Sequence, residues 1–266
     1  MYDLSNLTIS STNPCLIVFL LDQSGSMNDR FGGAYHSKAV ELASAINSNI
    51  YEIGLRCSSN KEIKNRFEIA VIGYGKNGDK VQSGWEGELS GKWVVSIKNI
   101  FDCSLGEQDE KPIWIQPYAN GLTPMTKAFE NARRLCNDWI NWGNHRDCHP
   151  PIIINITDGE VNEESHSELK AVVNQIKGLR TNYGNMFILN IHISSQNGNR
   201  ILYPNDVSSI NDVYAKMLFE MSTQLDENMI KRARQHGYNL YNNAKGYVFN
   251  GNANDLMNFL NIGTPR

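Results

Sequence analysis

Four short runs in this chain are apolar almost without a break: Leu16–Leu21, Phe67–Tyr74, Ile152–Thr157 and Met186–Ile193. Each has the length of a strand, and a strand with no polar face has to be covered on both sides. Helical patterns fall between them. Ala39, Leu42, Ala43, Ile46, Ile50 and Ile53 follow steps of three and four, and so do Met125, Phe129, Ala132, Cys136 and Trp139. Leu169, Val172, Val173 and Ile176 make a further apolar stripe. Buried strands alternating with one-faced helices predict an α/β chain, a three-layer α/β/α sandwich around a doubly wound, mostly parallel sheet. A weaker extended stretch, Trp93–Ile97, is expected as an antiparallel edge strand, Gly246–Asn250 as a last short strand, and Asn254–Leu260 as a terminal helix.

At 266 residues, with 41% apolar and 20% charged side chains, the chain can bury a sizeable core. No Pro/Gly/Ser-rich linker, charge run, low-complexity tract or internal repeat divides it, so a single domain over 1–266 is expected. A net charge of −3 provides no basic footprint for a nucleic-acid backbone or an anionic membrane. Lys231-Arg232-Ala233-Arg234, the densest basic group, reads as a solvated helix face. No segment reaches the roughly 18 apolar residues of a membrane span. The run Cys15–Leu21 lacks the basic flank and small-residue cleavage site of a signal peptide. The five cysteines are odd in number and widely spaced, with Cys15 and Cys136 on apolar faces as core thiols. That pattern points to reduced thiols and a cytoplasmic location, where the sequon Asn6-Leu7-Thr8 carries no meaning.

The first apolar run ends in Asp22-Gln23-Ser24-Gly25-Ser26. Such a loop at the end of a buried strand carries a carboxylate and two hydroxyls, hard oxygens of the kind that Mg²⁺ takes at roughly 2.0–2.1 Å in a shell that keeps some water. Gly25 removes the Cβ that would obstruct a turn aiming Ser24 and Ser26 at one point. Two more oxygen carriers come close in a parallel sheet: Thr123, in Gly121-Leu122-Thr123-Pro124-Met125, and Asp158, in Ile156-Thr157-Asp158-Gly159. Asp22 and Asp158 either bind the cation directly or hold its waters. The same residues also have a purely structural use. Asp22 can cap a turn while the serines meet local backbone donors, and Thr123 can cap a helix that has Pro124 at its first position.

In this order and spacing, the three segments resemble the metal-ion-dependent adhesion site of the von Willebrand factor A (VWA) family, over about Asn13–Thr264. The stretches Leu218–Met229, Ala244–Asn250 and Phe259–Thr264 are similar to a bacterial cytoplasmic VWA subgroup related to the tellurium-resistance-type VWA proteins. The resemblance implies Mg²⁺ or Mn²⁺ held by Asp22, Ser24, Ser26, Thr123 and Asp158. It also implies a non-catalytic protein-interaction module in which a partner's Asp or Glu takes the open coordination position. Neutral hydroxyl ligands leave the cation much of its charge, and exchange of direct Asp158 ligation for Thr123 would raise its demand for that carboxylate. Members of the subgroup are typically encoded beside a Ser/Thr phosphatase and a protein kinase in stress-response or phage-defence clusters. Those two enzymes are therefore the partner classes implied.

Competing chemistries lack parts. A haloacid-dehalogenase-like phosphatase, using Asp22 with Asp158 as a metal-dependent hydrolase, would need a second acid two residues after Asp22, where Ser24 stands. Ser24 follows Asp22 where a nucleophile elbow requires Gly, and Gly75-Lys76 and Gly91-Lys92 lack the rest of a phosphate loop. His145-Arg146-Asp147-Cys148-His149 gathers zinc-ligand types without zinc spacing and reads as a lead into the next strand. His166 and His192 read as structural. Glu160, Glu163 and Glu164 either rim the metal face or form a charged first helical turn. Tyr118, Met125 and Phe31 are candidates for its border.

Overall fold

The computed structural model describes Leu4 and residues 7–32, 34–159, 166–194, 199–208 and 210–265. The main sheet contains β1 (Cys15–Asp22), β2 (Phe67–Lys76), β3 (Lys80–Ser83), β4 (Val94–Ser96), β5 (Ile152–Thr157), β6 (Phe187–Ile193), β7 (Ile201–Leu202) and β8 (Tyr247–Gly251). Their order is β7-β8-β6-β5-β1-β2-β3, with β4 also pairing with β2. The central ladders, β8/β6, β6/β5, β5/β1 and β1/β2, are all parallel. The antiparallel edge strand expected at Trp93–Ile97 is β4, paired with β2. Two further antiparallel strands, β3 on β2 and β7 on β8, finish the edges.

The helices are α1 (Lys38–Cys57), α2 (Ile97–Asp102), α3 (Met125–Asn141), α4 (His166–Gly178), α5 (Val213–Met221), α6 (Glu227–Gln235) and α7 (Ala253–Gly263). Alternate residues of β1 serve two cores. Ile17, Phe19 and Leu21 pack with Ile46 and Ile50 of α1, Met229 of α6 and Phe259 of α7. Leu16, Val18 and Leu20 pack with Phe129 of α3, Val173 of α4 and Leu218 of α5. This is the fully buried strand that the unbroken apolar run predicts, with no residue of β1 exposed.

The topology places the site. From β1 the chain moves to β2 on one side, and it later inserts β5 on the other side of β1. The order of strands therefore reverses between β1 and β5, and the loops leaving their carboxyl ends diverge there. Register keeps those ends level: Leu21 lies opposite Ile156 of β5, and Asp22 lies opposite Tyr74 of β2.

Two basic and apolar expectations need correction. The group Lys231–Arg234 is solvated only in part: Lys231 and Arg234 are exposed, whereas Arg232 turns inward. Arg232 is buried, and its Nε and Nη2 donate to the Ile262 carbonyl oxygen at 2.9 and 2.7 Å. A cation there meets the carbonyl-rich end of α7, where the helix dipole favours it. Met125 and Phe31 belong to the core, with no solvent exposure. All five cysteines are free thiols, and Cys15 and Cys136 are buried as expected. Burial pushes both of these thiols far up.

Candidate metal centre

β1 ends in Asp22, whose side chain is held from both sides. Its Oδ1 accepts from the Ser24 backbone N–H at 2.8 Å, closing the tight loop, and its Oδ2 accepts from the Thr157 hydroxyl at 2.7 Å. The carboxyl is almost wholly buried. Burial, and then the neighbouring Asp158 charge, push it up to about 6, against the downward pull of its hydrogen bonds.

Ser24 and Ser26 lie on either side of Gly25, with their hydroxyl oxygens 3.1 Å apart. Both reach across to Asp158, which follows directly on β5. Ser26 Oγ donates to Asp158 Oδ1 at 2.8 Å, and Ser24 Oγ approaches the same oxygen at 3.5 Å. Ser24 is buried and Ser26 exposed, so the pair spans the step from protein to solvent. Thr123 completes the group. A Cβ built on Gly159 would lie 3.8 Å from both Ser26 Oγ and Thr123 Oγ1, so those hydroxyls flank one point beside Asp158.

Backbone stitching fixes the Thr123 segment. Asn120 N–H donates to the Gln23 carbonyl and Gly25 N–H to the Gly121 carbonyl, each at 2.9 Å, while Leu122 N–H donates to Gly78 in the β2–β3 turn. The approach is close enough to need glycine: a Cβ on Gly121 would stand 1.5 Å from the Gly75 oxygen, and Gly75 itself has φ +102°. Pro124, not Thr123, is the residue directly preceding α3, which begins at Met125.

Sequence reasoning missed two residues here. Thr157, inside β5, holds Asp22. Lys38, the first residue of α1, has a side chain only 4% exposed and pairs with Asp158 Oδ2, whose side chain is fully buried. Its nitrogen also lies 3.9 Å from Asp29 Oδ2, whose side chain is 66% exposed. Nothing in the local pattern marks Lys38, because a charge at the start of an amphipathic helix is ordinarily solvated. His192, near the end of β6, is structural: its Nδ1 accepts from the Asn250 backbone N–H at 3.4 Å, and its ring stacks on Phe249 at 4.6 Å. Burial pushes its imidazole down to about 4.

The other expected residues lie elsewhere or are otherwise engaged. Tyr118 donates to Asn77 Oδ1 at 2.7 Å beneath the Lys76 ammonium. In the candidate zinc loop, His145 Nδ1 donates to the Trp139 carbonyl and His149 Nδ1 to the Pro150 carbonyl. Glu160, Glu163 and Glu164 lie outside the described residues. Among the described residues, no three His, Cys, Asp or Glu side chains gather around a point. The oxygen cluster at Asp158 is built on hydroxyls instead. A hydroxyl that donates its proton to a carboxylate keeps lone pairs for a hard cation, so the donor set fits Mg²⁺ or Mn²⁺.

No family model matches the chain, and no curated protein matches it. Among solved structures it is similar to the manganese-loaded TRAP protein of Plasmodium vivax, with 13% identity over 95% of this chain and 73% of that one and a TM-score of 0.48. It is also similar to a von Willebrand factor type A protein from Catenulispora acidiphila, with 15% identity, 68% and 33% coverage and a TM-score of 0.39. The PilB minor pilin of Streptococcus sanguinis has 10% identity, 94% and 60% coverage and a TM-score of 0.40. The chain thus spans a third of the length of the Catenulispora protein and under two thirds of the pilin. Among the described residues, no helix is long and apolar enough to cross a membrane.

Proposed function

We propose that the chain is a single VWA domain over 1–266, acting as a non-catalytic, divalent-metal-dependent protein-interaction module. Its metal ligands are Asp22, Ser24, Ser26, Thr123 and Asp158. One observation carries this reading: the Ser24 and Ser26 hydroxyls meet the Asp158 carboxylate where the strand order reverses, with the Thr123 hydroxyl close by at Gly159. Bound there, Mg²⁺ or Mn²⁺ supplies a Lewis-acidic centre open to one Asp or Glu of a partner. The chain's own part is to orient the hydroxyls through Asp158, to hold Asp22 through Thr157 and Ser24, and to lock the Thr123 loop onto Gly75. The context follows the family resemblance: a bacterial cytoplasmic complex in stress response or phage defence, with a Ser/Thr phosphatase or a protein kinase as partner. Hydrolysis by Asp22 and Asp158 is disfavoured, because Ser24 stands where a general acid is required.

The test is capture of a bacterial Ser/Thr phosphatase and a protein kinase, the two partner classes proposed, on immobilised protein, in Mg²⁺ and in EDTA, with Ser24→Ala and Thr123→Ala alongside. Capture in Mg²⁺ that is lost both in EDTA and in the two variants supports the reading. Capture that survives EDTA and both substitutions overturns it.

A further inference from the structure

Lys38 sits where a lysine is poorly suited on local grounds. It opens α1, beside the partial positive charge of the helix N-terminus, and a long charged side chain there ordinarily reaches solvent. Instead the side chain is buried and its ammonium meets Asp158 Oδ2. The opposite oxygen, Oδ1, takes the serine hydroxyls, so Lys38 faces the cluster across a single carboxylate. The lysine has a second carboxylate within reach, Asp29 at 3.9 Å, and its own backbone N–H is fixed to the Asp29 carbonyl at 2.9 Å. A small swing of Nζ exchanges one oxygen for the other while the backbone stays still.

We propose that Lys38 is an internal counter-ion that competes with the divalent cation for Asp158, and that Asp29 receives the ammonium when the cation takes the site. This rests on the metal-site reading above and adds to it a built-in check on metal affinity. Two like charges drawn to one carboxylate repel at short range with little water between them. Lys38 therefore weakens metal binding in the absence of a partner. A partner carboxylate offsets that repulsion, so metal and partner bind cooperatively and each raises the affinity for the other. Asp29, largely in water, stabilises the displaced ammonium and eases its release.

The experiment is Mn²⁺ binding to the full chain, read from the electron paramagnetic resonance signal of free Mn²⁺. It compares wild type with Lys38→Met, Lys38→Gln, Asp29→Asn and the Lys38→Met/Asp29→Asn double variant. Removing the ammonium is expected to tighten Mn²⁺ binding by about tenfold or more, and Asp29→Asn to weaken it by roughly threefold or more. Loss of structure would not tighten binding. A plain field effect of Asp29 would persist in the double variant, whereas release of Lys38 predicts that the Asp29→Asn effect vanishes there. Unchanged or weaker binding in both folded Lys38 variants overturns the competition, and an undiminished Asp29 effect in the double variant overturns its receiving role. Should both Lys38 variants unfold, Mn²⁺ is expected to restore their circular dichroism, and no restoration counts against the proposal. Absence of Mn²⁺ binding at millimolar concentration in wild type and in both folded Lys38 variants sinks the metal-site reading itself. Wild type that binds while the variants gain nothing sinks only the role of Lys38.

Discussion

The buried carboxyl of Asp22 is pushed up to about 6 by burial and by Asp158, from 3.8 when free. Its contribution to stability is fully present below its unfolded value and is lost as pH rises through about 6. The whole shift corresponds to about 3 kcal/mol. His192 works the other way. Its imidazole is pushed down to about 4, so it contributes stability present above 6.5 and lost as pH falls towards 4. The two slopes oppose each other in one window, and comparison at a single residue separates them. In EDTA, Asp22→Asn is expected to be more stable than wild type by about 1–3 kcal/mol near neutral pH, with the gain shrinking towards zero near pH 4. His192 is common to both proteins and cancels. Urea unfolding at both pH values measures the difference, and an equal gain at both would show that Asp22 is not the titrating group. At this scale the sequence was informative where chemistry clusters along the chain, as in Asp22-Gln23-Ser24-Gly25-Ser26. It was silent on Lys38 and Arg232, whose hydrogen-bond acceptors, a carboxylate and a backbone carbonyl, lie 120 and 30 positions away.

Among the elements, β1, β2, β5, β6, α1, α3, α4 and α7 were legible because each is long enough to display a period or an unbroken apolar run. The strands β3 and β7, of four and two residues, are too short to show alternation. The helix α5 is apolar on nearly every side, and α6 hides its buried arginine within a charged run. The loop before α3 was legible as residue types but not as geometry, because its position depends on backbone bonds to Gln23, Gly25 and Gly78. Gly121→Ala tests that geometry. The added methyl collides with the Gly75 backbone, so the Thr123 segment must move away from Ser24 and Ser26. The expected result is a loss of Mn²⁺ affinity of about tenfold or more at a stability cost of about 1–3 kcal/mol, with the far-ultraviolet circular dichroism retained. Wild-type affinity in this variant would show that Thr123 contributes no ligand.

Across the whole molecule, a buried polar chain ties the two halves of the sheet beneath the site. The Tyr74 hydroxyl donates to Asn155 Oδ1 at 3.0 Å, Asn155 Nδ2 to Asn190 Oδ1 at 3.0 Å, and Asn190 Nδ2 to Ser222 Oγ at 2.9 Å. It crosses β2, β5, β6 and the end of α5, and every member is hydrogen-bonded in the interior. Asn155→Ala removes the central link, leaving the Tyr74 hydroxyl only its longer 3.4 Å bond to the Ile156 carbonyl and Asn190 Oδ1 without its donor, so it is expected to cost about 2–4 kcal/mol. Chemical denaturation measures this, and a cost below about 1 kcal/mol would mean that the chain contributes little to holding the sheet together. The position of β1 has a mechanical consequence as well. A partner seated on the Asp22 loop, as proposed, would load β1, which is laced on both sides by parallel ladders. Tension along the strand would have to shear two rows of backbone bonds at once instead of peeling them one by one, so the proposed handle would be the middle strand, the part that such a pull dislodges last.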